Sequence, residues 1–267
     1  MIELLKQQFT PNMTDEEKLN RVRELLQLAA LKTMYDGNLF DKVAFTGGTS
    51  LRILFDLKRF SEDLDFSVVD NKGYDFRELI SGLIRGFRLN GLKAEAALKD
   101  EKNVHSAFLK FGGLPKELGL SALPEQNLSI KIEVDSNPPR GGRIENALVN
   151  KTYMFTVTHF DLPSSFATKL HACFYRKFTK GRDFYDFIWY LGKKIKPNYF
   201  LLNNVIKQTE GEGPGLNDGN IKDFLMEKVE GVDFGAAKKD VERFLEDKSE
   251  LRLFDAKVIR SAIEAAF

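Results

Sequence analysis

The chain has 267 residues, 43% hydrophobic and 12% aromatic, enough for one large core or two modest ones, so one or two domains are expected. Its 40 Lys and Arg against 39 Asp and Glu exclude a chain committed by bulk charge to nucleic acid or to an anionic membrane surface, and leave any polyanion site to a local patch. A single cysteine, Cys173, excludes an internal disulfide and a multi-cysteine metal site. The N-terminal MIELLKQQFTPNMTDEEKLN lacks a signal-peptide core, and no apolar run approaches the ~20 residues of a membrane span, so a cytoplasmic protein with no membrane partner is expected.

Thr14 followed by Glu17 has capping-box spacing, and Leu19, Val22, Leu25, Leu26 and Ala29 recur at helical intervals, which predicts an amphipathic helix over 14–35. After DGNLFD, the run KVAFTGG predicts a short strand ending in paired glycines. TSLRILFDL then predicts a helix capped by Thr49 or Ser50 and packed through Leu51, Leu54 and Phe55. DLDFSVV predicts a second strand, and YDFRELISGLIRGFRLNG a helix ending near Gly91. KAEAALK, SAFLKFGG, LSIKIEVD and TYMFTVTHF predict further strands, separated in places by the turn-rich GGLPKELGLSALPEQN and SNPPRGGRIEN.

From Leu162 the pattern turns helical, through PSSFATKLHACFYRKF and RDFYDFIWYLGKK to three or so further helices. TEGEGPGLNDGN at 209–220 is a connector rather than a phosphate cradle, because no strand leads into it and no Lys-Ser/Thr pair follows. Strands mixed with helices and then helices alone predict an α+β domain over 1–160 and a helical domain over 161–267.

Asp63 and Asp65 stand at i and i+2 of a strand, so both carboxylates share one face while Leu64 and Phe66 face the core. An exposed polar face is one reading. The other is a divalent cation, since Mg²⁺ binds through one or two carboxylates plus substrate phosphates, as phosphoryl or nucleotidyl transfer requires. The Gly47-Gly48 turn one helix upstream adds the complementary element. Its backbone N–H groups and the helix N-terminus attract phosphate, and glycine permits close backbone approach.

Gly48-Thr49, thirteen residues, then Asp63-Leu64-Asp65-Phe66 resembles the polymerase-β-type nucleotidyltransferase signature. More narrowly, FTGGTSLRILF followed by KRFSEDLDFS resembles the AbiEii/AbiGii toxin family, with Arg59, Ser61, Asp63 and Asp65 matching its Arg-x-Ser-x-Asp-x-Asp run. The resemblance implies a nucleotidyltransferase fold, a mixed sheet with flanking helices, followed by the helical domain.

In SIKIEVD, Ile130, Ile132 and Val134 alternate with Lys131, Glu133 and Asp135. This is an amphipathic strand, or else Glu133 or Asp135 is a third acid that completes a metal site or deprotonates an acceptor hydroxyl. The resemblance favours Glu133 and leaves Asp135 open.

In ATKLHACFYRKFTKGRDFYDF, Lys169, Cys173 and Arg176 share a helix face, and Asp183 and Asp186 lie one turn apart on the next helix. The cations could meet a triphosphate, or the whole set could be an interhelical salt-bridge cluster. Lys169, Arg176, Lys180, Arg182, Asp183 and Asp186 also resemble the C-terminal motif of the AbiEii family, with Asp183 as the essential acid. His105, His159 and His171 are too scattered for a zinc set and read as structural or surface residues. Cys173, without a Cys-His arrangement, reads as a buried small residue.

The resemblance therefore implies a nucleotidyltransferase that moves NMP from an NTP to an acceptor with release of pyrophosphate. Asp63 and Asp65 would bind one or two Mg²⁺; Gly47, Gly48, Thr49, Arg59, Ser61 and Arg176 would bind nucleotide; Lys169, Asp183 and Glu133 would join the aspartates in catalysis. The helical domain is expected to contribute its Lys, Arg and Asp to the active-site cleft. The implied setting is a bacterial toxin–antitoxin or abortive-infection system with a separately encoded antitoxin, and a tRNA 3′ end is the first expected acceptor. A basic strip of Arg176, Lys177, Lys180, Arg182, Lys193, Lys194 and Lys196 would suit RNA. The alternatives are transfer to a protein or small-molecule hydroxyl, such as an aminoglycoside, or a nucleotide-binding regulator without turnover.

Overall fold

The computed structural model describes residues 1–100 and 103–267. It divides into two compact units: Met1–Asp56 with Phe60–Pro138 and Glu145–His159, and Leu57–Arg59 with Pro139–Ile144 and Phe160–Phe267.

The first unit contains α1 (Ile2–Lys6), α2 (Asp15–Asp36), β1 (Val43–Thr46), α3 (Gly47–Phe55), β2 (Asp63–Val68), α4 (Phe76–Leu89), β3 (Ala94–Asp100), β4 (Val104–Gly112), α5 (Leu114–Glu117), β5 (Asn127–Asp135), β6 (Ile144–Asn150) and β7 (Met154–Phe160). Thr14 starts α2 with a reciprocal capping box. Its N–H donates to Glu17 Oε2 at 2.7 Å, and the Glu17 N–H donates to Thr14 Oγ1 at 3.2 Å. The helix buries Val22, Leu25, Leu26 and Ala29, whose spacing puts them on one stripe.

Among the described residues the strands form one seven-stranded mixed sheet in the order β3-β4-β5-β2-β1-β7-β6. β1 pairs antiparallel with β2 and parallel with β7, β2 pairs parallel with β5, and β3-β4-β5 form an antiparallel meander. One sheet face carries Leu64, Phe66, Leu109, Phe111, Ile130, Ile132 and Val134 into a core shared with α2 and α4, where Phe87 meets Phe111 edge-on at 4.8 Å.

The strands and helices expected from hydrophobic period stand close to their positions in the sequence, with four differences, the first being α1 at Ile2–Lys6, where no element is expected. SNPPRGGRIEN is not turn throughout: its last residues open β6, an edge strand that buries only Val149 fully. The short α5 lies inside GGLPKELGLSALPEQN. α3 begins two residues before its expected cap, at Gly47, because neither hydroxyl caps it. Thr49 Oγ1 donates instead to the Asp63 carbonyl and Ser50 Oγ to the Gly47 carbonyl at 2.8 Å.

The second unit is built from α6 (Leu162–Tyr175), α7 (Gly181–Gly192), α8 (Tyr199–Glu210), α9 (Ile221–Glu230), α10 (Phe234–Val241) and α11 (Ala256–Ala266). Asp161, Asn198, Asp233 and Asp255 cap α6, α8, α10 and α11 through side-chain acceptors. Phe166 stacks on Tyr190 at 4.4 Å, and Phe174 meets Phe184 and Phe187 edge-on. α7 starts against α10 so closely that a Cβ on Gly181 would lie 1.9 Å from the Ala237 carbonyl oxygen, so only glycine fits there. Among the described residues no helix is long and apolar enough to cross a membrane.

Candidate active site

In the first unit β1 runs into α3 without a loop: Thr46 ends the strand and Gly47 is the first residue of the helix. Thr46 is in register with Asp65 on β2, which brings the turn onto that carboxylate. Gly47 has φ +74°, and a Cβ there would lie 2.1 Å from Asp65 Oδ2 and 2.8 Å from Asp65 Cβ and Cγ. The glycine backbone therefore occupies the space beside the carboxylate that any side chain would take. The first N–H groups of α3 have no intrahelical partner and carry the positive end of its dipole.

Asp63 is fixed from the same helix, through Thr49 on its carbonyl. Ser61, just upstream, is held by its carbonyl, which accepts from Gln27 Nε2 at 3.0 Å; Gln27 is 1% exposed. Gln27 is thus a buried polar support of the Ser61 segment. Its signal was a polar residue inside the apolar run Leu25-Leu26-Gln27-Leu28-Ala29. Arg52 adds a second support: it pairs with Glu24 at 2.6 Å and stacks over Phe60, with its Cζ 4.1 Å from the ring centroid.

The parallel register sets Glu133 beside Asp65 and Lys131 beside Asp63, on the same sheet face. Glu133 accepts an ion pair from Lys131 at 2.7 Å. Asp135 falls one step further, beside Ser67, where its carboxylate accepts the Asn137 N–H at 2.9 Å and burial pushes its pKa up. The strand thus places Glu133, not Asp135, next to the aspartate pair. Among the described residues no three His, Cys, Asp or Glu side chains converge as a complete metal cage.

In the second unit five charged groups form one chain. Arg59, 2% exposed, donates from Nε and Nη2 to the two oxygens of Asp186 at 2.7 and 2.6 Å, and Asp186 is fully buried. Lys169 Nζ lies 2.9 Å from Asp186 and 2.7 Å from Asp183, and Arg176 Nη1 closes the series on Asp183 at 2.8 Å. Arg59 reaches this position because its segment bridges Leu245 in antiparallel fashion. Cys173, on the Lys169 face of α6, donates Sγ to the Asp183 carbonyl at 3.3 Å, and burial pushes its thiol well up, away from the reactive thiolate.

Burial by itself works against every charge in this chain. For Lys169 the carboxylates of Asp183 and Asp186 outweigh it and raise the ammonium above its ordinary range. Burial likewise pushes Asp183 up, but Lys169 and Arg176 outweigh it and hold the carboxyl at about 2. A carboxyl lowered on folding stabilises the protein above its unfolded pKa of 3.8, and that stabilisation disappears as pH falls through about 2. Denaturant unfolding from pH 6 to pH 2 is therefore expected to show roughly 2 kcal/mol of acid-dependent stability. Asp183→Asn should lack this component; equal acid sensitivity in both proteins would contradict the assignment.

The sequence-predicted site residues thus gather into two sets, each within one unit. Gly47, Gly48, Thr49, Ser61, Asp63, Asp65 and Glu133 belong to the first; Arg59, Lys169, Arg176, Asp183 and Asp186 belong to the second. Arg59, expected to bind nucleotide, has its guanidinium engaged with Asp186, and the Thr49 hydroxyl is engaged with Asp63. The expected basic strip is two patches. Arg176, Lys177 and Lys180 are exposed before α7 and Lys193, Lys194 and Lys196 after it, about 18 Å apart along a 12-residue helix. His105 bonds Tyr74, His159 packs on Phe55, and His171 bonds Thr209.

The model of the AbiEii family, described as a nucleotidyl transferase AbiEii toxin of a type IV toxin–antitoxin system, matches residues 29–260. Among solved structures, a candidate nucleotidyltransferase from H. pylori is similar with a TM-score of 0.50 and 19% identity, over 91% of this chain and 95% of that one. JHP933 from Helicobacter pylori gives 0.45 and 16%, over 91% and 94%. The first of these shows a shared fold. No curated protein matches the chain. A match that spans both units and includes the glycine turn, the aspartate strand and the Lys169–Asp183 helices carries the conclusion that this chain belongs to the AbiEii toxin family and is a nucleotidyl transferase of a toxin–antitoxin system.

Proposed function

We propose that the protein is a Mg²⁺-dependent toxin that transfers NMP from an NTP to the 3′ end of tRNA. The observation that carries the reading is the contact of Gly47 with Asp65, which joins a phosphate-attracting helix start to a carboxylate with no side chain between them. Asp63 and Asp65 are hard oxygen donors on one sheet face, and such a pair suits an ion that completes its shell with substrate phosphates. Asp63 and Asp65 would hold the Mg²⁺, whose charge would offset that of the reacting phosphate and of the departing pyrophosphate.

The chain's own residues do the rest. The first turn of α3, with Gly47, Gly48 and Thr49, binds phosphate through backbone N–H groups. The acceptor hydroxyl oxygen attacks the α-phosphorus, the bond from that phosphorus to the bridging oxygen breaks, and pyrophosphate leaves with the electron pair. Glu133, next to Asp65, takes the hydroxyl proton. Within the second unit, Arg176 keeps 45% of its side chain exposed, which leaves part of its guanidinium open to a phosphate. Lys169 and Asp183 form the compensated pair that orients it, and Arg59 acts through Asp186 rather than on nucleotide. Ser61 shapes the approach to Asp63. A separately encoded antitoxin is the expected partner of the system.

The acceptor is tested with purified protein, MgCl₂, each α-labelled NTP in turn and total bacterial tRNA. Label on tRNA that declines steeply with rising salt is expected. Label on an added protein or aminoglycoside, with none on tRNA, would overturn the acceptor assignment. Nucleotide bound with no pyrophosphate released to any acceptor would replace the enzyme by a binding regulator.

A further inference from the structure

The sheet face that carries Asp63 and Asp65 continues outward over β5, β4 and β3. Register aligns Asp63, Lys131, Phe108 and Ala97 in one row, and Asp65, Glu133, Ser106 and Lys99 in the next. Lys110 lies two residues beyond Phe108 on the same face, opposite Ser129 and Glu95. Phe108 is 38% exposed, although its strand neighbours Ala107 and Leu109 are fully buried in the core. Lys99, Lys110, Ala97 and Glu95 are exposed as well. Lys131 connects the two features, with Nζ 5.8 Å from the Phe108 ring centroid and 2.7 Å from Glu133.

A solvated phenylalanine is ordinary on its own. Here it occupies a sheet face with the exposed Ala97 and the buried Ser106 as small neighbours, flanked by three lysines, and continuous with the carboxylates of the reaction. Two strand spacings of ~4.8 Å put it about 10 Å from Asp63, a step of one or two nucleotides along an extended single strand. Aromatic side chains on an open sheet, bordered by cations, are the general means of holding unpaired bases, because every base offers a π-face and the cations follow the phosphates. Over the whole face Asp63, Asp65, Glu95 and Glu133 outnumber the three lysines, but on the outer strands β3 and β4 Lys99 and Lys110 face only Glu95, so the positive charge lies around Phe108 and away from the aspartates, where the phosphates of a strand leaving the site would run.

We propose that the β3-β4-β5 face is the acceptor platform: Phe108 stacks on an unpaired base beside the reacting 3′ nucleotide, and Lys110 and Lys99 contact its phosphates. The inference rests on the nucleotidyl-transfer reading above and specifies a single-stranded nucleic-acid terminus as what that site accepts. Lys131, held by Glu133, lies between the stacked base and the reacting hydroxyl.

The test reads binding and transfer on the same preparations of the full-length protein. The binding probe is a fluorescein-labelled 12-nucleotide single-stranded RNA, compared with the same sequence as a blunt duplex, by fluorescence anisotropy; transfer is read on total tRNA. Wild type is expected to prefer the single strand. Phe108→Ala should weaken single-strand binding about tenfold, with Phe108→Trp restoring it. Lys110→Glu should weaken binding and reduce its salt slope by about 0.7. Transfer to tRNA should follow the same order.

Equal single-strand binding by wild type, Phe108→Ala and Lys110→Glu, or no binding by wild type, would overturn the platform even if transfer proceeds. Phe108-dependent binding in a wild type that transfers nothing would leave the platform standing and overturn the transfer reading. Lys110 is exposed and Trp retains the ring, so misfolding of the alanine variant alone cannot produce the expected pattern.

Discussion

Gly47→Ala is expected to lower nucleotidyl transfer at least 100-fold and Tm by about 5–10 °C. Two costs combine. The φ of +74° is strained for any residue with a Cβ, by about 1–2 kcal/mol. The new methyl also meets Asp65, with Oδ2 at 2.1 Å and Cβ at 2.8 Å. Rotating the carboxylate away can relieve the first contact but not the second, because the Asp65 Cβ is fixed by a strand paired on both sides. The turn or the strand must move, and a displacement near 1 Å in a positioned site is enough for the activity loss. A double-mutant cycle with Asp65→Ala checks the cause by thermal unfolding. Removing the carboxylate relieves part of the clash, so the double variant should lose less stability than the two single losses combined, whereas independent additive losses would show that the contact is not the reason.

The second large effect is Asp186→Ala, expected to cost 3–5 kcal/mol, or about 10–15 °C in Tm. Asp186 is fully buried and satisfies both Arg59, 2% exposed, and Lys169. Its removal leaves two buried cations facing each other across an empty position. Arg59→Met combined with Asp186→Leu should recover much of the stability, since an apolar pair avoids the desolvation cost that burdens an ion pair. Transfer should remain low in that double variant, because Lys169 loses one of the two carboxylates that hold it. Stability and activity recovered together would give the Arg59–Asp186 pair no part in positioning Lys169, and a double variant as unstable as Asp186→Ala would contradict the burial argument.

The legible parts of the fold were those specified by local chemistry. Thr14 and Glu17 form the capping box that their spacing predicts, and the period-two strand Ile130, Ile132, Val134 faces the core as alternation requires. β6 escaped because it is an edge strand: with Glu145, Asn146, Leu148 and Asn150 all exposed, it presents no apolar alternation to read. The start of α3 was misplaced because hydroxyls at Thr49 and Ser50 fit a local capping rule, while their partners are the carbonyls of Asp63 and Gly47.

The site divides the same way. Asp63 and Asp65 could be assigned to one face from strand geometry, and Lys169, Cys173 and Arg176 from helix geometry; all three of the latter do meet Asp183. The Arg59–Asp186 pair spans 127 residues, and no periodicity or spacing links its partners. The nucleotide role expected of Arg59 rests on the resemblance of its Arg-x-Ser-x-Asp-x-Asp run, which says nothing of the bonds to Asp186. Phe108 read only as part of an apolar strand, because its exposure depends on which sheet face β5 presents beside β2, a register that only tertiary pairing sets.

Nucleotidyl transfer at the Gly47–Asp65 element can be read by incubating wild type and Asp65→Asn with Mg²⁺, total tRNA and the same NTP labelled either at the α- or at the γ-phosphate. Wild type is expected to place the α label on tRNA and release the γ label as pyrophosphate, and Asp65→Asn, folded by circular dichroism, to do neither. The γ label on the acceptor, or undiminished α transfer by Asp65→Asn, would contradict it.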